Sequence, residues 1–264
     1  MRKERKTIGG PRSGGDPVCR LRRPAPWGVA VSATLSVWMA SPTQSQPAGN
    51  VAAAEMDARC TGAPSVTDGE GNLYLTVRIA NRCWMREDLR ATKFRNGEAI
   101  PTAAGAAQWS AGWQGPLLAI RDHAHGSVFL YNFRTVRDAR GICPVGWRVP
   151  SDIEWMNLRD FLGVQTAGRK MKSIMVRTPD VYGWNVPNLA DNTSGFSGLP
   201  AGRRDHTGAF TGLYSFGNWW TSYERPPKLG GAVWVRYDTA FMAFQLANQG
   251  NGFAVRCLRV APDV

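Results

Sequence analysis

Four cysteines, Cys60, Cys83, Cys143 and Cys257, limit what this chain can become more than any other feature. They are widely spaced and form no CxxC pair, so neither a zinc ribbon nor a thioredoxin-like redox site has its ligands. A fifth, Cys19, falls in a basic leader. An even number of cysteines in an exported chain reads as a disulfide framework, and four of them allow three pairings. Spacing alone leaves the three open.

Export is read from the order of segments. Residues 1–26 are basic and rich in Gly and Pro, Trp27 to Ala40 carries no charge, and a polar stretch runs from Ser41 to Asn50. Basic, apolar, polar is the order of a secretory signal peptide. We expect a signal peptide over 1–45, a linker over 46–65 and one folded domain over 66–260. The apolar run is shorter than the roughly 20 residues that span a bilayer, so no stable membrane span is expected after cleavage. The expected location is extracellular, at the cell surface or periplasmic.

The formal charge of +12 suggests nucleic acid until it is divided along the chain. Residues 1–40 hold eight Lys/Arg against two Asp/Glu, which is half of it. The remaining basic residues are scattered rather than set in a stripe, so no nucleic-acid partner is expected. Eleven Trp, 29 Gly and 17 Pro point to short elements joined by many turns and packed by large rigid side chains.

Local patterns place several elements. Asp68-Gly-Glu-Gly-Asn72 reads as a turn before the strand Leu73 to Ile79, and Asn81-Arg82 as a second turn, making 72–86 a hairpin. Residues 97–127, with many Ala, Gly and Pro, read as an irregular loop. Ser151-x-x-Glu154 is a capping box that predicts a helix over about 151–162, with Trp155, Leu158 and Leu162 on one face and Gly163 ending it. Ala232 to Arg236 and Phe253 to Arg259 alternate like half-buried strands.

Six pieces in this order carry a resemblance. They are Val66-Thr-Asp-Gly-Glu-Gly-Asn-Leu-Tyr74, Cys83-Trp-Met-Arg-Glu-Asp-Leu89, Gly141-Ile-Cys-Pro-Val-Gly-Trp-Arg-Val-Pro-Ser151 with Glu154-Trp155, Ser194-Gly-Phe-Ser-Gly-Leu-Pro200, Trp219-Trp-Thr-Ser222, and Gly252-Phe-Ala-Val-Arg-Cys-Leu-Arg259. Together they resemble the Fibrobacter succinogenes major paralogous domain, a family of secreted or surface bacterial proteins, over about 66–260. More distantly, Arg148-Val-Pro-Ser-Asp-Ile-Glu-Trp155 and Gly252-Phe-Ala-Val-Arg256 look like the helix start and final strand of the formylglycine-generating enzyme family. That likeness implies an α+β, C-type-lectin-like fold, loop-rich, with small twisted antiparallel sheets and few helices. It further implies that Cys143 meets Cys257, and leaves Cys60 to pair with Cys83. The formylglycine-generating family works with two cysteines near its C-terminus. Only Cys257 lies there in this chain, so that activity is not expected.

Other site candidates fall short on residue chemistry. His123-Ala-His125 could offer two imidazoles, with only His206 as a third, so exposed loop histidines are expected and no metal. Asp68, Glu70 and Asn72 start like a calcium loop, but Val77 stands where the bidentate acid belongs. The lectin calcium motifs are absent, and no cofactor is expected. Cys143 and Ser151 have no histidine partner in a recognisable motif that would make either a nucleophile. Trp109 and Trp113, in the presumed irregular loop, are the candidates for stacking on a sugar ring. The expectation is therefore a non-catalytic binding or adhesion module whose partner is a glycan or a surface protein. A structural component of a surface assembly, or an enzyme with an unrecognised site, are the alternatives.

Overall fold

The computed structural model describes residues 60–260. The expected signal peptide over 1–45 and the linker as far as residue 59 lie outside the described residues. The last part of that linker already belongs to the folded body: Cys60 is buried and the first strand, β1, is Ser65–Thr67.

The first sheet holds both ends of the domain. With β1 it contains β2 (Leu73–Ile79), β3 (Arg82–Met85), β6 (Trp147–Arg148) and β13 (Leu258–Arg259), in the antiparallel order β1-β2-β3-β13-β6. The predicted 72–86 hairpin is β2 and β3, closed by Ala80 and Asn81 at positive φ (50° and 60°). A pair of positive φ values suits the tight turn that follows strand twist. The Asp68 turn forms as expected. The Asp68 carboxylate accepts from the backbone N–H of Glu70 (3.0 Å) and Asn72 (2.9 Å), and from the Asn72 amide (2.9 Å) and Tyr74 hydroxyl (2.8 Å). A carboxylate engaged in this way anchors the turn.

The second sheet is β9 (Phe216–Arg225), β10 (Leu229–Arg236) and β11 (Ala243–Asn248), in the order β11-β10-β9. The third comprises β4 (Leu118–His123), β5 (Gly126–Asn132), β12 (Gly252–Phe253), β7 (Arg203–Arg204) and β8 (Phe210–Thr211), in the order β4-β5-β12-β7-β8. Four helices accompany them among the described residues: α1 (Ala106–Gly112), α2 (Phe133–Arg137), α3 (Asp152–Leu162) and α4 (Ala167–Met171). The loop-rich antiparallel architecture is thus as expected, but its helices are short enough that mostly-β describes it better than α+β. No helix among the described residues is long and apolar enough to cross a membrane.

Helix α3 is the one the sequence placed. The Ser151 hydroxyl accepts from the Glu154 N–H, and the Glu154 carboxylate accepts from the Ser151 N–H at 2.9 Å. Reciprocal capping satisfies two N–H groups that a helix start otherwise leaves open. Glu154 also holds Arg82 (2.9 Å) and Arg148 (2.7 Å), tying the helix start to β3 and β6. Trp155, Leu158 and Leu162 are buried along one face.

The 97–127 stretch is not an irregular loop. It contains α1 and the whole of β4, which pairs with β5 over six registers from Leu118–Tyr131 to His123–Gly126. α1 has no side-chain cap and is instead held by Trp109, which is fully buried and donates from Nε1 to the Gly250 carbonyl at 2.9 Å. The loop at Gly208 presses against this helix; a Cβ there would come within 2.4 Å of Ala106 Cα, and φ is +97°.

Two apolar cores share β9. Adjacent residues of a strand face opposite ways. Trp219 packs with Phe196 (5.5 Å) and Trp155 (6.2 Å) in one core, while Trp220 packs with Phe253 (4.4 Å) and Phe133 (5.1 Å) in the other. Both disulfides line this second core. Cys143 and Cys257 are bridged with Cα atoms 6.0 Å apart, and Cys60 and Cys83 with Cα atoms 5.5 Å apart. Closing loops of 114 and 23 residues restrains the unfolded chain by about 5 and 3 kcal/mol in the chain-entropy picture.

The end of the chain departs from the alternating pattern. From Gly252 to Leu258 every residue is buried, Arg256 included. Its side chain is 1% exposed and is met by Asp88 and by the carbonyls of Met85 and Phe196.

Candidate functional site

The segment after β3, Arg86-Glu-Asp-Leu-Arg90, is fixed by backbone hydrogen bonds on both sides. Arg86 N–H donates to the Leu75 carbonyl of β2, and Leu89 N–H to the Val255 carbonyl near the chain end, each at 2.8 Å. Buried Leu89 anchors the segment, leaving Arg86, Glu87, Asp88 and Arg90 partly exposed. They line one wall of an open cleft of about 420 Å³. The β4–β5 hairpin supplies a second wall through His123, His125 and Phe129, and the 173–201 loop a third through Met175, Tyr182 and Leu199.

Lys172 holds the base of that loop. Its ammonium donates to the carbonyls of Arg236 (2.8 Å), Tyr237 (2.9 Å) and Thr239 (2.9 Å), three acceptors for three N–H bonds. Trp184 Nε1 ties the loop to itself through the Gly198 carbonyl at 3.0 Å.

At the floor, one oxygen of Asp88, Oδ1, accepts from Trp219 Nε1 (2.8 Å) and from Arg256 Nε (2.9 Å) and Nη2 (2.6 Å). Arg256 Nη1 continues to the carbonyls of Met85 (3.1 Å) and Phe196 (2.6 Å), and its guanidinium lies 4.1 Å from the Phe196 ring centre. This network welds the cleft floor to the first core.

The rest of the lining is less engaged. Glu87 accepts the Leu75 N–H at one oxygen, and burial raises its pKa against the pull of Arg256, that N–H and two more arginines. Burial and the neighbouring His125 and Arg121 charges lower the pKa of His123, whose ring stacks on Tyr182 at 4.1 Å. His123 Nδ1 accepts the His125 N–H at 3.2 Å. Burial pushes the Tyr182 phenol well above its ordinary value, and its hydroxyl has no hydrogen-bond partner. The Arg86 guanidinium likewise makes no ion pair or hydrogen bond to the described residues.

Of the residues singled out from sequence, His123 and His125 reach this cleft, but no group of three or more metal-binding side chains exists among the described residues. Trp109 cannot serve as a stacking platform, because it has no exposed face and Arg204 covers it at 4.8 Å. Trp113 is half-buried at the end of α1 and is not among the cleft-lining residues; Lys228 Nζ lies 5.9 Å from its ring. Cys143 is held in a disulfide and Ser151 in its helix cap. The residues that sequence reasoning left without a role are Arg86, Glu87, Asp88 and Arg256. Their signal was present: a charged Arg-Glu-Asp run straight after the buried Cys-Trp-Met of β3, and an arginine inside an otherwise apolar final segment.

Taken together, fold and site define a disulfide-stapled, mostly-β domain that opens one mixed polar and apolar cleft between loops. Residues 77–259 match the Fibrobacter succinogenes major domain, and the chain belongs to that family. No curated protein and no solved structure matches it.

Proposed function

We propose that this protein is an exported, non-catalytic binding or adhesion module that takes its ligand in the cleft beside Arg86. The cleft carries the reading. Its volume falls within the range of small-ligand sites, its walls are partly apolar, and the charged side chains of Arg86, Glu87 and Asp88 line one of them. The four cysteines at Cys60, Cys83, Cys143 and Cys257 are all bridged, so no thiol nucleophile is available from them. Two such bridges persist in an oxidising compartment, which supports export. A lectin-like scaffold suits the role: small antiparallel sheets, a capped helix after β6, and a disulfide from before that helix to the final strand, with loops forming the site.

The experiment is a glycan-array and thermal-shift screen of the full chain. Binding that raises the melting temperature and is lost on substitution within the cleft is expected. Turnover of any bound compound, abolished by a single polar substitution there, would replace the reading with an enzyme. A second reading, structural assembly, has one observation in its favour: β11 ends its sheet with an unpaired edge among the described residues, and such edges template further strands. Concentration-dependent self-association without ligand would favour it.

A further inference from the structure

We infer that β11 is an interaction surface for a second copy of this chain: two β11 strands pair antiparallel across a two-fold axis and join two three-stranded sheets into one of six. The open edge noted above thereby gains a partner and a register, neither of which rests on the cleft.

The edge is open and unguarded. On one side β11 pairs with β10 over six registers, from Leu229–Asn248 to Trp234–Ala243. On the other, Ala243 to Ala247 have no backbone partner among the described residues. Exposed strand edges are normally blunted by shortness, charge, proline or a covering segment. The other described sheet ends follow that rule. β1, β6 and β8 are two or three residues long, and β4 carries Arg121 and Asp122 and is bridged by Thr102. β11 is six residues long, Ala-Phe-Gln-Leu-Ala-Asn, with no charge, proline or glycine.

The partner follows from symmetry. A strand that meets itself across a two-fold axis brings side chains near their own counterparts, so a charge there faces a like charge. An uncharged strand escapes that penalty. Leu246 stands at the centre of the pairing. It is 40% exposed and lies opposite Gly231, whose side-chain space is bounded by the exposed Tyr223. The neighbouring Gln245 amide turns inward instead, to Asn218 at 3.5 Å. Centring on Leu246 pairs residues 244–248 with the same five of the copy in reverse. Arg159 lies over the Phe244 ring at 5.3 Å but is neutralised by Asp160 at 2.7 Å, so it brings no uncompensated charge to the axis.

The pairing also stops at two. The far edge of the sheet, β9, is already met by other segments. Trp220 N–H donates to the Ala254 carbonyl (3.2 Å), Ala254 N–H to the Asn218 carbonyl (3.1 Å) and Ser222 N–H to the Pro150 carbonyl (2.8 Å). A sheet doubled through β11 therefore closes on itself instead of growing into a filament. On the binding reading above, such a pair carries two clefts and can hold a repeated surface ligand at two points.

The test is sedimentation velocity of the full chain across concentration, with disulfides intact. Leu246→Glu, Leu246→Lys and an equimolar mixture of the two variants are run alongside. Leu246 belongs to neither apolar core, so both variants should melt within a few degrees of the parent. Support is a monomer–dimer equilibrium that each variant weakens about tenfold or more and that the mixture restores, since opposite charges then face each other. A parent that stays monomeric, variants that dimerise like the parent, or a mixture that stays monomeric each overturn the inference. Growth beyond the dimer overturns the closed pair. Hydrogen exchange on the parent needs no substitution: amides of β11 should be better protected at high than at low concentration, and protection independent of concentration counts against the pairing. The ligand screen above decides separately whether the cleft binds anything.

Discussion

The Asp88–Arg256 pair makes the most exacting test of how this fold is held together. Arg256 is 1% exposed and Asp88 20%, so the pair is largely desolvated. Asp88→Asn keeps an oxygen able to accept from Trp219 Nε1, yet removes the charge facing the guanidinium. The buried cation then meets only neutral acceptors, the amide oxygen and the Met85 and Phe196 carbonyls, with no opposite charge in contact. Removing one partner of a buried pair costs about 3–5 kcal/mol, because the other charge is left uncompensated. Partial exposure of Asp88 admits some water, so the lower end, about 3 kcal/mol, is expected. Arg256→Met should cost a similar amount, since it leaves the Met85 and Phe196 carbonyls without this donor and the 20%-exposed Asp88 carboxylate with only Trp219 Nε1. The double variant Asp88→Asn/Arg256→Met should be less damaging than the sum of the singles by about 2 kcal/mol or more. Urea unfolding of the four proteins with disulfides intact, analysed as a double-mutant cycle, measures that coupling. Additive effects within about 0.5 kcal/mol would show that the ion pair does not hold the floor.

Three further outcomes are expected. Replacing Cys143 and Cys257 together by Ala should cost about 5 kcal/mol, against about 3 for Cys60 with Cys83, read from chemical denaturation under oxidising conditions. Trp109→Ala should cost about 3–5 kcal/mol as a core truncation and Trp113→Ala clearly less, whereas a sugar-stacking role would lower affinity without lowering stability. For Glu154, burial alone would raise the pKa, but hydrogen bonds from Arg148 and Ser151 and the Arg148 charge hold it below its ordinary 4.5. Its folded pKa is depressed, so its contribution is present above pH 4.5 and is lost as pH falls through the folded value. The stability gap between the protein and Glu154→Gln, measured by melting temperature from pH 7 to pH 3, should therefore narrow on the acid side.

What could be read from the chain followed the range of the forces involved. The capping box at Ser151 and Glu154 and the turns at Asp68 and Asn81 act over a few residues, and these elements stand where the pattern put them. α1 has no such signal: Gly105 precedes it without a side-chain cap, and Trp109 is held by Gly250, far along the chain. Composition alone therefore reads as a loop there. The final segment misled for a related reason. An alternating pattern assigns Arg256 to solvent, and only a carboxylate 168 residues earlier makes its burial tolerable. The cleft was hidden altogether, because its walls come from 86–90, 123–129 and 173–201, and no window along the sequence contains two of them.

The placement of the first and last described strands, β1 and β13, in one sheet has a mechanical consequence. Tension applied across residues 60 and 260 enters through the Cys60–Cys83 bridge into β3. It crosses to the segment before β13 through the Met85 N–H bond to the Cys257 carbonyl (3.1 Å), and leaves by β13. The Cys143–Cys257 bridge backs up this short route covalently. Apart from Leu75 on β2, the residues that line the cleft lie between Cys83 and Cys257 in the chain, off this short route. The domain can thus be loaded between residues 60 and 260 while the cleft keeps its shape.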